Sequence, residues 1–424
     1  MNLLVLAGAY PHADHPFAGV FSERCVQALL PLCERLEVVA PRPFAPPLLS
    51  NLNPRWKVYS RIVGHEIRNG VSVYRPAYPQ IPRLGGAVWT DLASYLSTRR
   101  KIQGLHRRVG FDAILSFDLI AAGGLAWRLG QALSIPAAGW AFGEDVLGGK
   151  SSSYGAALLR TLQRLALIFY QSCELFEHAA RLLGTSMDKL GNDRHLVLSH
   201  GIAVPPAVFR RDEARSRLRR DWGVGDSDIV VLYVGRILSD KGVFQFIDAV
   251  TSAAQRIPLL RGVLVGSLPG MDETAAVERR LRGDSRLLDR VRILPACGPE
   301  AVWDYLSAAD IFGFPSRHRE GMPNSLLEAM SMGVPAIAFA IPPVQEIEAG
   351  TGGLVLVPPG NSKVLAEQIV RLASDPVERT RVGKTGQAIV MERFVVRRNM
   401  ATAFARLSEI AERWAASRRS AERA

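Results

Sequence analysis

The chain has 424 residues, of which 48% are hydrophobic and 22% charged, the balance of a globular protein rather than a disordered one. That length suggests roughly two or three domains, and no apolar run approaches the roughly 18 residues that span a bilayer; Val334–Val344 is short and broken by prolines. The opening Met1–Tyr10 carries no basic leader and runs into Pro11-His12-Ala13-Asp14-His15-Pro16, so neither a secreted nor a membrane-spanning chain is expected. Cys25, Cys33, Cys173 and Cys297 form no CxxC pair and read as small buried apolar residues in a reducing cytoplasm. The net charge of +12 is concentrated: Arg55 to Arg108 contains eleven basic residues opposed only by Glu66 and Asp91. Such a stretch is either a solvated arginine-rich surface or a face for an anionic partner, such as lipid headgroups or a diphosphate. Nucleic acid is not expected, because the charge comes without a recognisable binding module.

Short apolar runs alternate with longer helical stretches along the whole chain, which predicts an α/β protein with parallel sheets. In the first half the predicted strands are Leu3–Ala7, Leu36–Ala40, Val71–Tyr74, Ala113–Phe117, Ala137–Phe142 and Leu196–Ser199. Helices are predicted between them, including Phe21–Leu30 and Leu158–Phe176, and the proline-rich 41–54 region is predicted to be a loop. The second half supplies Ile229–Val234, Gly262–Val265, Val291–Leu294, Ile311–Phe314, Ala336–Phe339 and Leu354–Val357, with helices such as Val243–Ala254 and Ser325–Met332. Each set is enough for its own doubly wound sheet. The expected division is 1–200, 201–395 and a C-terminal segment 396–424, with the seam near Gly201–Pro206 and a final helix over Asn399–Trp414 ahead of an arginine-rich tail. Two Rossmann-like domains facing a central cleft would bind ligands at the carboxyl ends of their strands.

The most informative segment runs from Pro315-Ser316-Arg317-His318-Arg319-Glu320-Gly321-Met322-Pro323-Asn324-Ser325-Leu326-Leu327-Glu328 to Ala329-Met330. A buried strand enters a Gly/Pro turn, and a helix begins near Pro323, where its free N–H groups form an anion site. Glu320 falls in the turn and Glu328 about one helical turn inside, so one carboxylate faces a strand-end ligand while the other accepts hydrogen bonds from a diol. Two solvated glutamates flanking an ordinary helix start would be the competing reading. Upstream, strand Ile229–Val234 leads into Gly235-Arg236 and then Lys241-Gly242, two cations on a sheet-end loop suited to phosphate oxygens.

Gly235-Arg236, Lys241-Gly242, Ala309-Asp310-Ile311, Pro315-Ser316, Glu320-Gly321, Glu328-Ala329-Met330, Gly333-Val334-Pro335, Gln345-Glu346-Ile347 and Gly352-Gly353-Leu354-Val355 together resemble the retaining GT-B glycosyltransferases of family 4. In the amino-terminal half, Tyr10-Pro11, Pro16-Phe17-Ala18-Gly19-Val20-Phe21, Val39-Ala40-Pro41, Gly70 to Pro76 and Gly143-Glu144-Asp145-Val146 look like the branch that builds teichuronic-acid-type and other bacterial surface polysaccharides. The resemblance implies that Glu320 contacts the donor sugar and is associated with catalysis, and that Glu328 holds the nucleotide ribose. It implies further that Arg236 and Lys241 neutralise the donor diphosphate, and that Gly235 and Gly321 belong to the donor-binding set. Gly19 would let the backbone approach the diphosphate, while Asn324, Ser325 and Leu326 would present backbone N–H groups. Base recognition falls around Leu294–Gly298.

Two departures stand out. Phe142 occupies a position where many relatives carry a histidine, so any polar role passes to backbone groups or to neighbours such as Gly143 and Asp145, the expected contacts to acceptor or donor sugar. The hinge reads His200-Gly201-Ile202-Ala203 rather than the more usual Asn-Gly-Ile-Asp. The resulting expectation is a metal-independent transferase moving a sugar from a UDP- or GDP-sugar to a glycan or polyprenyl-diphosphate-linked acceptor, with no cofactor, in the cytoplasm or on the inner membrane face. A nucleotide-sugar epimerase and a non-catalytic assembly partner are the alternatives. His12-Ala13-Asp14-His15 fits no standard metal spacing and reads as a polar loop, His318 reads as a loop residue near Glu320, and a helix around Ala156–Phe176, with Arg160 and Arg164, packs on the sheet or rests on a membrane.

Overall fold

A computed structural model describes residues 1–44, 54–80, 86–148, 151–191, 193–268, 270–284, 287 and 289–423, the side chains of 54–55 and 421–423 apart. The chain forms two compact units, one of Met1–His200 with Val396–Ala424, the other of Gly201–Val395.

In the first unit the strands are β1 (Asn2–Ala7), β2 (Arg35–Val39), β3 (Arg42–Pro43), β4 (His65–Arg68), β5 (Val71–Tyr74), β6 (Ala77–Tyr78), β7 (Ala113–Phe117), β8 (Ala137–Ala141), β9 (Leu167–Tyr170) and β10 (His195–Val197). Eight of them form one sheet in the order β10-β9-β8-β7-β1-β2-β5-β4. Every pairing is parallel except β4 with β5, which is a hairpin turned at Asn69-Gly70. The parallel strands therefore run out in both directions from the β1–β7 pair, the doubly wound order. β7, β8 and β9 are buried at every position, as expected of parallel strands covered on both faces. The terminal helix Val396–Arg423 belongs to this unit and packs on helix Val20–Leu29.

The second unit holds β11 (Ile229–Val234), β12 (Leu260–Ser267), β13 (Val291–Pro295), β14 (Ile311–Phe314), β15 (Ala336–Phe339) and β16 (Val355–Val357), all parallel in the order β13-β12-β11-β14-β15-β16. Alternation along β11 sorts its side chains into two cores. Val230 and Leu232 join the core beneath helices Ala301–Ala308 and Asn324–Ser331. Val231 and Tyr233 join the core beneath helices Val243–Ala254 and Ser362–Ser374. A period of two thus builds a sheet with helices on both faces.

Four expectations require correction. The predicted helix Leu158–Phe176 is a helix over Ser152–Arg164, the strand β9, and a second helix over Cys173–Leu182. Leu165 turns extended, with φ −69° and ψ 142°, so the helix stops and no continuous surface helix spans 156–176. Within the expected 41–54 loop, positions 45–53 lie outside the described residues; Arg42–Pro43 pairs with β6 as a short strand and Pro54 opens the helix Pro54–Arg61. Only Cys25 is buried, whereas Cys33 and Cys297 are half-buried and Cys173 is exposed at a helix start. The basic stretch is also less uniform than its sequence. Arg68 pairs with Glu23 at 2.5 Å and buried Arg75 pairs with Glu66 at 2.6 Å, so these two charges are internal. Lys57, Arg61, Arg100, Lys101, Arg107 and Arg108 remain exposed; Arg83 and the Arg55 side chain lie outside the described residues.

His195 on β10 is buried among aromatic rings. Its Nδ1 lies 2.9 Å from Tyr170 Oη, and its ring stacks on Phe176 at 5.7 Å. Burial, with the adjacent Arg194 charge, pulls its pKa down to about 4, so the fold holds it neutral. The unfolded chain takes up this proton near the ordinary imidazole value, so the stabilisation is complete above that value and is lost as pH falls towards 4. Urea unfolding should show about 3 kcal/mol of stability lost from this group between pH 7 and pH 4, and His195→Gln should flatten that part of the profile.

Candidate functional site

In the second unit the strand order reverses between β11 and β14, and the loops after these two strands meet at that switch point, the place where open α/β sheets bind ligands. The β11 loop runs through Gly235 and Arg236 to a 3₁₀ turn over Ser239–Lys241, and Gly242 then caps helix Val243–Ala254. Gly242 is left-handed (φ +78°), and a Cβ there would lie 1.8 Å from the carbonyl oxygen of Pro315. Only a glycine allows the two loops to come this close.

This approach brings Lys241 and Glu320 together. Their side chains form an ion pair at 2.5 Å and are only 15% and 16% exposed. Ser316 Oγ donates to the same Glu320 oxygen at 3.1 Å, so the carboxylate is held from both loops. Tyr233, at the core end of the β11 loop, donates its hydroxyl to the Arg236 carbonyl at 2.7 Å. Burial and the nearby Glu320 charge push that phenol well above its ordinary range, so it remains a donor. The Arg236 guanidinium is exposed and makes no hydrogen bond or ion pair among the described residues, leaving its charge available to an anion.

Helix Asn324–Ser331 follows Glu320 and Gly321. Its N-cap is Pro323, which supplies no side-chain cap, and no acidic residue occupies its first turn. The N–H groups of Asn324, Ser325 and Leu326 thus stand at an uncapped positive helix end. Asn324 Oδ1 is buried there without a partner among the described residues. Glu328, one turn further on, is 7% exposed. Its charge reaches Cys297, on the loop after β13: burial first and Glu328 second push that thiol up to about 11. The 294–298 loop and Glu328 therefore share one environment.

In the first unit, Gly19 caps helix Val20–Leu29 in the same left-handed conformation (φ +70°), and a Cβ there would lie 2.3 Å from the Ala9 carbonyl oxygen. Phe142, just after β8, lies against Phe21 at 4.8 Å, His200 at 5.4 Å and Phe117 at 5.8 Å. Gly143 adopts φ 140°, and Asp145 grips this turn from below. Its Oδ1 accepts the N–H groups of Phe142 and Gly143 at 3.0 and 2.8 Å, and its Oδ2 accepts that of Leu119 at 3.0 Å. With 4% exposure and both oxygens engaged by main-chain amides, Asp145 holds the loop.

The structure adds residues that the sequence reading passed over. Ser316 lay within the quoted motif without a role. Asp118 follows β7 directly, and a carboxylate at a strand's carboxyl end beside a switch point was the available signal. Asp118 takes a positive φ of 99° and accepts the N–H groups of Ile120 and Ala121. Burial first and the Asp145 charge second raise its pKa to about 7. His12 and His15 close a tight turn on each other. Among the described residues no three His, Cys, Asp or Glu side chains cluster as metal ligands.

Residues 214–388 match the family described as glycosyl transferases group 1. Over 407 residues the chain is 28% identical to the putative teichuronic acid biosynthesis glycosyltransferase TuaC of Bacillus subtilis, covering 94% of this chain and 96% of that protein. It is 26% identical to the GDP-mannose:cellobiosyl-diphosphopolyprenol alpha-mannosyltransferase of Xanthomonas oryzae, covering 68% and 76% of the two chains. The fold is similar to that of Anabaena HepE, solved in complex with UDP, with a TM-score of 0.69 at 20% identity over 96% of this chain and 100% of the other.

The Gly242–Pro315 approach is directly testable. Gly242→Ala introduces both backbone strain and a clash with Pro315, and should lower stability by at least about 2 kcal/mol in denaturant unfolding. Gly283→Ala, at a negative-φ position with no neighbour under 3.3 Å, should change it little.

Proposed function

Taking as premise that the chain belongs, through residues 214–388, to the glycosyl transferases group 1 family, we propose that it is a glycosyltransferase of bacterial polysaccharide biosynthesis. In this reading it is a retaining, metal-independent enzyme of the family-4 type that moves a sugar from a UDP- or GDP-sugar to a glycan or polyprenyl-diphosphate-linked acceptor. The observation that carries it is the juxtaposition of Lys241 with Glu320 at the β11–β14 switch point, ahead of the uncapped helix Asn324–Ser331. The names of the Bacillus and Xanthomonas relatives support the polysaccharide setting and a nucleotide donor.

The chemistry follows from the charges. As the bond between the anomeric carbon and the phosphate oxygen breaks, the sugar gains oxocarbenium character and the diphosphate gains negative charge. In this reading Arg236, Lys241 and the amides of residues 324–326 would stabilise that charge. Glu320 would stabilise and orient the sugar, and Glu328 would accept hydrogen bonds from the ribose diol. The acceptor hydroxyl oxygen bonds to the same face of the anomeric carbon, and its proton passes to the departing phosphate oxygen. The nucleotide diphosphate leaves with the electron pair of the broken bond, so no protein base is required. In the first unit, the Phe21–Phe142 aromatic surface replaces a polar side chain with an apolar one at the expected sugar position.

The lipid-linked acceptor places the protein at the inner face of the membrane. Helix Gly86–Val109 supports this: Trp89, Leu96, Arg100 and Arg107 are exposed and follow one stripe, with Lys101 and Arg108 beside it. An apolar start and a basic end on one helix face suit shallow insertion beneath anionic headgroups.

Purified protein incubated with UDP- and GDP-sugars and a lipid-linked glycan should release nucleotide only when the acceptor is present or water substitutes for it. Glu320→Gln and Arg236→Ala should each reduce turnover by about 10²–10³-fold. Conversion of donor to an isomer without acceptor would instead identify an epimerase, and failure to bind either nucleotide would identify a non-catalytic partner. In flotation assays at low salt the protein should associate with vesicles containing anionic lipid, and substitution of Arg100, Lys101, Arg107 and Arg108 by Glu should abolish it. Equal recovery with neutral vesicles would contradict the electrostatic docking.

A further inference from the structure

His318 has no part in the reaction just described, yet it touches both loops that build the donor site. Its ring Nδ1 lies 2.9 Å from Asp240 Oδ2, and Asp240 immediately precedes Lys241 in the 3₁₀ turn. An ionised carboxylate only accepts, so Nδ1 carries the proton and donates. The His318 main-chain N–H donates to Ser316 Oγ at 3.3 Å, and Ser316 Oγ in turn donates to Glu320 at 3.1 Å. Asp240 is gripped a second time through its carbonyl oxygen, which accepts the Arg317 N–H at 2.9 Å. The neighbouring Ser239 carbonyl accepts from the Arg317 guanidinium at 3.1 Å.

We propose that His318 is a positioning residue for the donor diphosphate: through Asp240 its ring fixes the turn that aims Lys241. The proposal rests on the reading of Lys241 and Glu320 as donor-site residues. A lysine side chain has four rotatable carbons and loses much freedom when it is held at one point. Part of that ordering is done in advance if the backbone beneath it is fixed, and a site ordered before binding holds its ligand more tightly. The 3₁₀ turn is short and bears no side-chain cap. Much of its order comes from the partner loop, through the Gly242–Pro315 contact on one side and the Asp240 contacts on the other, while Ser239 Oγ also donates to Glu273 at 3.0 Å. His318 is half-buried, with its side chain 24% exposed.

The test is a double-mutant cycle read by calorimetric titration of UDP and GDP into the full-length protein. His318→Ala should weaken binding of the nucleotide that wild type prefers by about fivefold, with the thermal midpoint unchanged. His318→Asn, whose amide nitrogen sits where Nδ1 does, should restore most of the affinity. In a Lys241→Ala background, His318→Ala should change affinity by less than about twofold, because its effect passes through Lys241. An equal loss in both backgrounds, or none in either, would overturn the positioning role while leaving the donor site standing. Absence of binding of either nucleotide to wild type would overturn the proposed function itself, and this inference with it.

Discussion

One ion pair ties together the loops at the β11–β14 switch point of the second unit. Lys241 and Glu320 are separated by 79 positions in the chain and meet at 2.5 Å because β11 and β14 are neighbours in the sheet. The pair is largely withdrawn from solvent, so its geometry depends on the loops that carry it. Those loops depend in turn on Gly242, whose missing side chain admits the Pro315 carbonyl. Without that contact the ammonium and the carboxylate would belong to two independent surface loops, each solvated and of little electrostatic consequence. With it, a cation, an anion, an exposed guanidinium and an uncapped helix end share one strand-order crossing.

The two units solve the same local problem in the same way. Each sheet is wound outward from a central pair, β1 with β7 and β11 with β14. In each, the helix after the first strand begins at a left-handed glycine with no side-chain cap, Gly19 in one and Gly242 in the other. In each, that glycine accommodates a carbonyl oxygen at a distance no Cβ tolerates. The consequence is a helix start whose N–H groups are not already taken by a capping side chain, which suits a negatively charged ligand. The units differ in the loops beyond the switch point. The second carries Glu320 and Ser316, polar groups facing the switch point. The first carries Phe142 among aromatic rings, with Asp118 and Asp145 folded inward onto main-chain amides.

Much of this was legible in the sequence, and what was not has physical reasons. The six strands of the second unit are short apolar runs bounded by Gly, Pro and polar residues, the inner four largely buried, and their alternation with helices along the chain points to a parallel sheet. β9 was missed because Leu165 to Tyr170 continues an apolar stretch from the preceding helix, and hydrophobicity alone does not separate a buried strand from a buried helix. β4 was missed although Asn69-Gly70 is a strong hairpin signal before Val71, because the strand it turns from, His65–Arg68, is polar and lies at the sheet edge. Glu320, Glu328, Arg236 and Lys241 could be named from their motifs, but that Lys241 pairs with Glu320 is a property of strand order. The roles of Asp145 and of Arg75 depend on which way a side chain turns, and periodicity carries no such information for loop residues.

The central claim is that the β11–β14 switch point receives a nucleotide diphosphate, and a crystal structure of the protein grown with UDP or GDP tests it most directly. The account predicts the diphosphate oxygens within hydrogen-bonding reach of Arg236, Lys241 Nζ and the main-chain amides of residues 324–326, with the ribose hydroxyls on Glu328. A nucleotide seated elsewhere, or seated there with Arg236 and Lys241 both turned away from its phosphates, would contradict it.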